Sequence, residues 1–315
     1  MTIDKDFRLL CAPLQGFTEA AFRHFHAQLY PAIESVTYYT PFIRIEKGEI
    51  RSRDMREVCS TLNTNHHLIP QIIFKDTTEF SKLTEELYGN GYREIDLNMG
   101  CPFVPQVRKG RGAGIIGNPA VFKDICGIIR SMPEIRFSIK MRVGISAPDE
   151  WRALIADINS TPLCHVTIHP RTASQQYGGE LHYDQFEEML HTFEHPVVFN
   201  GDIENPDQIG QLRERYPELS GVMIGRGLLK RPSIIAEWIE NREWSRSEHI
   251  AKILTLHSMI ADNYRSTLTG GDTQILSKIK PLWEYFGEEF DRRTVKKIMK
   301  ASTLSKYDEA VRNLR

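Results

Sequence analysis

Residues 196–232 read PVVFNGDIENPDQIGQLRERYPELSGVMIGRGLLKRP. Two short apolar runs in this stretch, Pro196–Asn200 and Gly221–Gly225, are typical of buried strands. Between them, Pro206–Arg215 has the apolar spacing of a helix. This order predicts a parallel pair of strands, because the connection between parallel strands needs a covering helix.

The same alternation extends from residue 8 to residue 238. Eight such units in about 240 residues fit a TIM (β/α)8 barrel of the α/β class better than an open doubly wound sheet. The segment Arg44–Asn65 has no clear prediction. Strands are predicted at Arg8–Pro13, Ser35–Thr40, Leu68–Phe74, Glu94–Asn98, Arg136–Arg142, His165–His169, Pro196–Asn200 and Gly221–Gly225. Helices are predicted at Thr77–Tyr88, Pro119–Ser131, Asp149–Asn159, Pro206–Arg215 and Arg231–Trp238.

From about Trp244 onward only helical periodicity is found. We therefore predict a barrel domain at 1–242 and a small all-helical domain at 243–315. This second region carries a net positive charge, whereas the rest of the chain is net negative. The predicted helices are His249–Arg265, Gln274–Phe286, Arg292–Ala301 and Lys306–Leu314.

Composition excludes several classes of protein. The chain has 315 residues, of which 41% are hydrophobic, and no apolar run approaches the ~20 residues of a membrane span. The first residues do not resemble a signal peptide, so a cytoplasmic protein is expected. The five cysteines lack CxxC spacing, which argues against a disulfide framework and against a zinc site; no metal and no membrane partner are expected.

Glycine-rich turns follow the last two predicted strands, at Asn200-Gly201-Asp202 and at Gly225-Arg226-Gly227. Loops in these places bind phosphate in many barrels, because glycine lets the backbone approach the ligand and the N–H groups face it. Each glycine could equally serve only to make a turn. Their pairing after the seventh and eighth strands favours a phosphate site, to which Arg226 would add charge.

Other polar residues end the middle strands. Lys140 inside a strand needs an electron-rich partner, and the N1–C2=O edge of a flavin is a suitable one. Gln71 can pair with the imide edge of a flat heterocycle. His169 and Lys140 could also be parts of structural ion pairs. Cys101 lies in an exposed turn between Gly100 and Pro102, before a basic, glycine-rich loop (103–118) that we interpret as a mobile lid.

In combination these motifs resemble the tRNA-dihydrouridine synthase family, in its bacterial, FMN-dependent form. The resemblance runs from residue 10 to about residue 232, and Lys278–Phe286 extends it more weakly. Leu14, Gly114 and Pro170 depart from the usual pattern. The matching stretches are Ala12–Gly16, Asp96–Pro102 with Lys109 and Gly112–Gly114, Ile139–Gly144, His169–Thr172, Asn200–Ile203 and Met223–Gly227.

The resemblance implies an enzyme that reduces specific uridines in tRNA to 5,6-dihydrouridine with FMN and NAD(P)H. Hydride would pass from reduced FMN to C6 of a flipped uridine, while Cys101 gives a proton to C5. Asn98, Arg142 and Arg171 would bind the substrate, and Lys109 would contact tRNA. The residues implied to hold FMN are Pro13, Leu14, Gln15, Gln71, Lys140, His169, Asn200, Gly201, Asp202, Gly225 and Arg226.

Helix Arg292–Ala301 independently favours an RNA partner, although a basic face is often merely solvated. At 100° per residue its basic side chains share one arc, opposite Val295, Ile298 and Met299. Such a face suits phosphate contacts. The basic side chains are Arg292, Arg293, Lys296, Lys297 and Lys300.

Two other functions stay open. An FMN barrel reductase acting on a small molecule, of the dihydroorotate or enoate type, would use the same flavin residues without needing the basic helix. An RNA-binding protein that has lost catalysis is opposed by Cys101, Lys140 and His169. The sequence does not decide which uridine is reduced or whether NADPH or NADH is preferred; a monomer is expected.

Overall fold

Eight parallel strands form a barrel in the computed structural model, which describes residues 7–30 and 36–314. Neighbouring strands pair in sequence order, and the last strand pairs with the first, as in a TIM barrel. Every predicted strand is found, although Ser35 lies outside the described residues. The strands are β1 (Arg8–Cys11), β2 (Val36–Tyr39), β3 (His67–Ile69 and Gln71–Ile72), β4 (Glu94–Met99), β5 (Arg136–Gly144), β6 (Leu163–Thr172), β7 (Val197–Phe199) and β8 (Gly221–Ile224).

The third strand is divided at Pro70, which has no N–H to give to a ladder. Its first part pairs with β2 and its second part pairs with β4. The carbonyl of Pro70 still accepts a hydrogen bond from the backbone N–H of Asp96, at 3.0 Å. The two parts together therefore close the barrel as one strand.

Helices surround the barrel, and the main apolar core lies between them and the outer face of the sheet. A smaller apolar cluster fills the barrel interior below the polar strand ends. The predicted helix Arg231–Trp238 begins later, because Pro232 separates it from a preceding helical turn. The helices are α1 (Ala20–Leu29), α2 (Ser52–Val58), α3 (Thr77–Gly89), α4 (Val104–Val107), α5 (Pro119–Arg130), α6 (Ile155–Asn159), α7 (Tyr183–Thr192), α8 (Pro206–Arg215), α9 (Arg226–Lys230) and α10 (Ile234–Glu240).

The segment without a clear prediction forms a short antiparallel hairpin, Ile45–Glu46 with Glu49–Ile50, followed by α2. The loop interpreted as a mobile lid contains α4 and a 3-10 turn at Gly112–Ile115. That turn is buried, and the buried Arg111 pairs with Glu79 at the base of the loop. The second half of the loop is thus packed against the barrel, whereas most of its first half (103–110) is exposed, and the mobility of the loop stays a prediction.

After residue 245 the described chain is helical. The predicted helix Gln274–Phe286 is interrupted before Trp283, where Pro281 cannot donate a helical hydrogen bond. Glu19, just before α1, binds Lys278 and accepts a hydrogen bond from Tyr264 at 2.9 Å, which ties these helices to the barrel. No helix in the described ranges is long and apolar enough to cross a membrane. The helices are α11 (Arg246–Thr267), α12 (Gly271–Ile279), α13 (Trp283–Phe286), α14 (Arg292–Lys300) and α15 (Leu304–Arg312).

Candidate active site

A cavity of about 590 Å³ opens at the carboxyl ends of the strands. It falls within the ~300–1,000 Å³ range of small-molecule and cofactor sites. Most of the site residues predicted from the sequence meet in its wall, because the ends of all parallel strands share one mouth. The predicted residues that line it are Pro13, Leu14, Gln15, Asn98, Cys101, Lys140, Arg142, His169, Asn200, Gly201, Asp202, Gly225 and Arg226.

Cys101 is held in place by its own turn. Its backbone N–H donates to Oδ1 of Asn98 at 2.9 Å, and its carbonyl accepts from the N–H of Ala113 at 3.1 Å. Burial raises the pKa of the Cys101 thiol, an effect only partly opposed by a backbone hydrogen bond and by cations such as Arg142. The thiol therefore keeps its proton at neutral pH.

Gly112 supports Cys101 from below, and we predict that it tolerates no side chain. Its φ is +58°, and a Cβ there would stand 2.8 Å from the Cβ of Cys101. Gly112→Ala is expected to lower the free energy of unfolding by about 1–3 kcal/mol in urea titrations, because both the overlap and the left-handed backbone are unfavourable.

Gly127 provides the matched control for that substitution. It lies within α5, and a Cβ there would meet nothing within 4 Å. Gly127→Ala should raise stability by up to about 1 kcal/mol, because alanine is the better helix former. Equal effects at the two positions would contradict the close contact beneath Cys101.

Lys140 lies beside Asn98 on the neighbouring strand and faces the cavity. Its ammonium group has no hydrogen bond or ion pair with any residue that the structure describes. Burial, and then the charge of Arg142, lower the pKa of Lys140 to about 8. A partly desolvated cation without a partner is costly, so the cavity favours an electron-rich ligand at this point.

Arg142 and His169 are neighbours across β5 and β6. Arg142 donates from Nε to the carbonyl of Gly100 and from Nη1 to that of Thr172, each at 2.8 Å, so it connects the Cys101 turn to the end of β6. Burial, and then the surrounding cations, lower the pKa of His169 well below its ordinary value. His169 therefore contributes a neutral ring to the cavity.

The glycine turns after β7 and β8 are joined by Asp202. Its carboxylate accepts hydrogen bonds from Arg171 and, at 2.9 Å, from Arg226. Asp202 itself has φ +43°, a left-handed backbone conformation that aspartate adopts more readily than most other residues with a side chain. Gly227 is required, because a Cβ there would lie 1.8 Å from the carbonyl oxygen of Ile203.

Several predicted contacts lie outside the cavity wall. Gln71 is fully buried below the floor of the cavity, where its amide donates a hydrogen bond to Asp96 and accepts one from Asn98. Arg171 is also buried, and Asp202 and the carbonyl of Gly179 bind its donors. Neighbouring residues thus bind several polar atoms of Gln71 and Arg171 in this arrangement, and the predicted direct roles of both stay predictions. Lys109 is exposed beyond the rim, and α14 presents its five basic side chains to solvent away from the cavity.

The structure also adds residues that the sequence did not predict for the site. Arg44, Arg51 and Arg53 enter the wall from the hairpin and α2, a segment without helical or strand periodicity. Tyr177 lies 49% exposed between Arg142 and Arg226, whose guanidinium carbons are 5.6 Å and 4.9 Å from its ring centroid. Phe103, 61% exposed, forms the lip next to Cys101. In the described ranges no group of His, Cys, Asp or Glu could hold a metal ion.

Comparison with known proteins gives one consistent result. The family described as "Dihydrouridine synthase (Dus)" matches residues 10–314. A "Probable tRNA-dihydrouridine synthase" of Staphylococcus aureus (strain Mu50) is 27% identical over 268 residues, covering 81% of this chain and 77% of that protein. "Probable tRNA-dihydrouridine synthase 2" of Bacillus subtilis (strain 168) is 27% identical over 266 residues, covering 80% and 78%.

Among solved structures, "Crystal structure of TcOYE with pHBA" aligns with a TM-score of 0.49 and 10% identity, over 76% of this chain and 90% of that one. A likeness this low adds nothing to the assignment. The family match spans nearly the whole chain, from the second half of β1 through β8 and the helices after residue 245. The chain belongs to the dihydrouridine synthase family.

Proposed function

We propose that this protein reduces specific uridines in tRNA to 5,6-dihydrouridine, with FMN as its cofactor and NAD(P)H as electron donor. The observation that carries the proposal is that one cavity contains both a protonated thiol, that of Cys101, and an ammonium group without a partner, that of Lys140. Membership of the dihydrouridine synthase family supports uridine reduction as the reaction that these two groups serve, and the relatives' names supply tRNA as the substrate class. The test is to incubate unmodified tRNA with the protein, FMN and NADPH, and to look by mass spectrometry for uridine that has gained two hydrogens. Their absence would contradict the proposal.

The residues of the cavity fit FMN. Lys140 offers an unpaired cation for the electron-rich edge of the flavin ring. Asn200 donates to the carbonyl of Met223 at 2.7 Å, and its own Oδ1 has no partner in the described part of the chain. Arg226 and the glycine turns after β7 and β8 suit a phosphate. FMN would thus be held by Pro13–Gln15, Lys140, His169, Asn200–Asp202 and Gly225–Arg226, with Gln71 beneath them as a further predicted contact.

When bound, reduced FMN supplies the hydride that the uracil ring receives at C6. Cys101 holds the proton that C5 receives, because burial keeps its thiol neutral. Arg142 keeps Nη2 available for a polar edge of the base, while Nε binds the carbonyl of Gly100 in the Cys101 turn and Nη1 binds that of Thr172. Asn98 has one amide hydrogen left for the substrate, because Oδ1 and the other hydrogen serve the protein.

A uridine reaches this cavity only if it leaves the stacked RNA, since the cavity floor lies inside the barrel. Basic residues at the rim then meet the flanking phosphates. We place 1–242 as the FMN-binding barrel and 243–315 as the tRNA-binding region, with Lys109 and the basic face of α14 as contacts. That face is exposed, while Ile298 on the opposite side is buried. A monomer acting in the cytoplasm stays a prediction.

We predict that removing three charges from α14 weakens tRNA binding. The variant Lys296→Ala/Lys297→Ala/Lys300→Ala should raise the Kd for tRNA by about tenfold or more in 0.1 M-range salt. The plot of log affinity against log salt should become shallower by about one for each phosphate that the variant no longer neutralises. Lys123→Ala, at an exposed position on α5, is the control and should change neither quantity. An unchanged salt slope in the triple variant would exclude α14 from the interface.

A further inference from the structure

A buried chain of hydrogen bonds runs beneath the Cys101 turn. Gln71, Asp96 and Ser138 are register neighbours on β3, β4 and β5, and all three point into the barrel. Gln71 and Asp96 are fully buried, and Ser138 is 3% exposed. Asn98, two residues after Asp96, stands directly above them at the cavity floor. The chain thus links the barrel interior to the reactive turn.

The contacts between side chains in this chain are short. Ser138 Oγ donates to Asp96 Oδ1 at 2.6 Å, and Gln71 Nε2 donates to Asp96 Oδ2 at 2.7 Å. Asn98 Nδ2 donates to Gln71 Oε1 at 2.7 Å. Oδ1 of Asn98 then accepts the backbone N–H of Cys101 at 2.9 Å and that of Gly100 at 3.2 Å. Every hydrogen bond in the series therefore has a defined donor and a defined acceptor.

The direction of the chain follows from its first member. An ionised carboxyl group only accepts hydrogen bonds, so Gln71 must turn its NH2 group toward Asp96 and its oxygen toward Asn98. Asn98 must then turn its NH2 toward Gln71, which leaves its oxygen for the Cys101 turn. With the opposite amide orientation, an NH2 group would face two backbone N–H donors and leave them unsatisfied.

The protonation state of Asp96 does not change this direction. Burial raises the pKa of Asp96 to about 7, although the hydrogen bonds from Ser138 and Gln71 oppose the rise. The acid form can give its proton to Ser138 Oγ and still accept from Gln71. The two backbone N–H donors of Gly100 and Cys101 at the other end of the chain favour the same amide orientation in both states.

We propose that Asp96 is a positioning residue that fixes the Cys101 turn through Gln71 and Asn98. It touches neither the cavity nor the reacting atoms, and it acts by imposing one orientation on two successive amides. The value of that turn for proton delivery rests on the proposed function. The positioning itself does not, so the two can be tested apart.

The test is the alkylation rate of Cys101 in Asp96→Leu and Asp96→Asn, followed by peptide mass spectrometry with iodoacetamide. Exposed Cys59 in the same sample is the internal reference. Leucine removes the acceptor, so the turn should loosen and Cys101 should react about fivefold faster or more. Asparagine can still accept from Gln71 while donating to Ser138, so its rate should stay within about twofold of the unaltered protein.

A second measurement uses no turnover either. Hydrogen–deuterium exchange of the peptide around residues 98–103 should accelerate in the leucine variant and not in the asparagine variant. If the leucine variant does not fold, the smaller apolar Asp96→Val takes its place with the same expectation. A folded apolar variant with unchanged alkylation and exchange would overturn the proposal, and so would an asparagine variant as perturbed as the apolar one. Neither result would bear on whether the protein reduces tRNA.

Discussion

Cys101→Ala is expected to slow uridine reduction by about 10²–10⁴-fold while FMN stays bound, because general acids contribute rate factors of that size. The thiol is the proton-bearing group that burial keeps neutral at the mouth of the barrel. Alanine has no proton to give and leaves the flavin contacts intact. Single-turnover oxidation of the reduced protein by tRNA, followed by flavin absorbance, measures the loss directly.

Two comparisons separate the acid role from a packing role. Reduction of bound FMN by NADPH, which needs no proton on the substrate, should be unchanged in Cys101→Ala. Cys59→Ala removes an exposed thiol outside the cavity and should match the unaltered protein in both half-reactions. A Cys101→Ala rate with tRNA within about threefold of the original would remove Cys101 from the chemistry.

Lys140→Met is expected to weaken FMN binding by about 10–100-fold, since a hydrogen bond to a charged group contributes about 1.5–3 kcal/mol. The pKa of Lys140 is lowered to about 8, so its ammonium form is present below that pH and is lost as the pH rises through it. FMN affinity of the unaltered protein should therefore fall above pH 8, by up to about tenfold per unit. Fluorescence titration of FMN between pH 7 and pH 9 measures it.

The methionine variant should show no such fall over the same range, because it has no group there to titrate. Lys123→Met on α5 is the matched control and should keep both the affinity and its pH dependence. A Lys140→Met protein that binds FMN as tightly as the original, with the same pH profile, would show that Lys140 does not contact the flavin.

Much of the fold could be predicted because each barrel strand carries its own local pattern. Helix Pro206–Arg215 has the same bounds in prediction and structure, and the capping box of Asn205 and Gln208 explains its sharp start. Two of the misses occur where proline interrupts an apolar pattern. Pro70 divides the third strand, and Pro281 divides the helix predicted at Gln274–Phe286, because neither residue has an N–H to donate.

The sequence predicted the site residues that lie at the carboxyl ends of the strands. Cys101, Lys140 and His169 meet in the cavity because parallel strands place their carboxyl ends together. The sequence did not reveal that neighbouring residues bind several polar atoms of Gln71 and Arg171, whose direct contacts with a ligand stay predictions. Arg44, Arg51 and Arg53 were missed because a hairpin and a short helix without clear periodicity bring them to the rim.

The measurement that tests the central claim most directly is the absorption spectrum of the purified protein with FMN, under anaerobic conditions. NADPH is added first, and unmodified tRNA follows. We expect the flavin absorbance to bleach with NADPH and to return only when tRNA is supplied. A flavin that bleaches but ignores tRNA would favour a small-molecule reductase, and a protein that keeps no flavin after incubation with FMN and removal of the unbound cofactor would contradict the account.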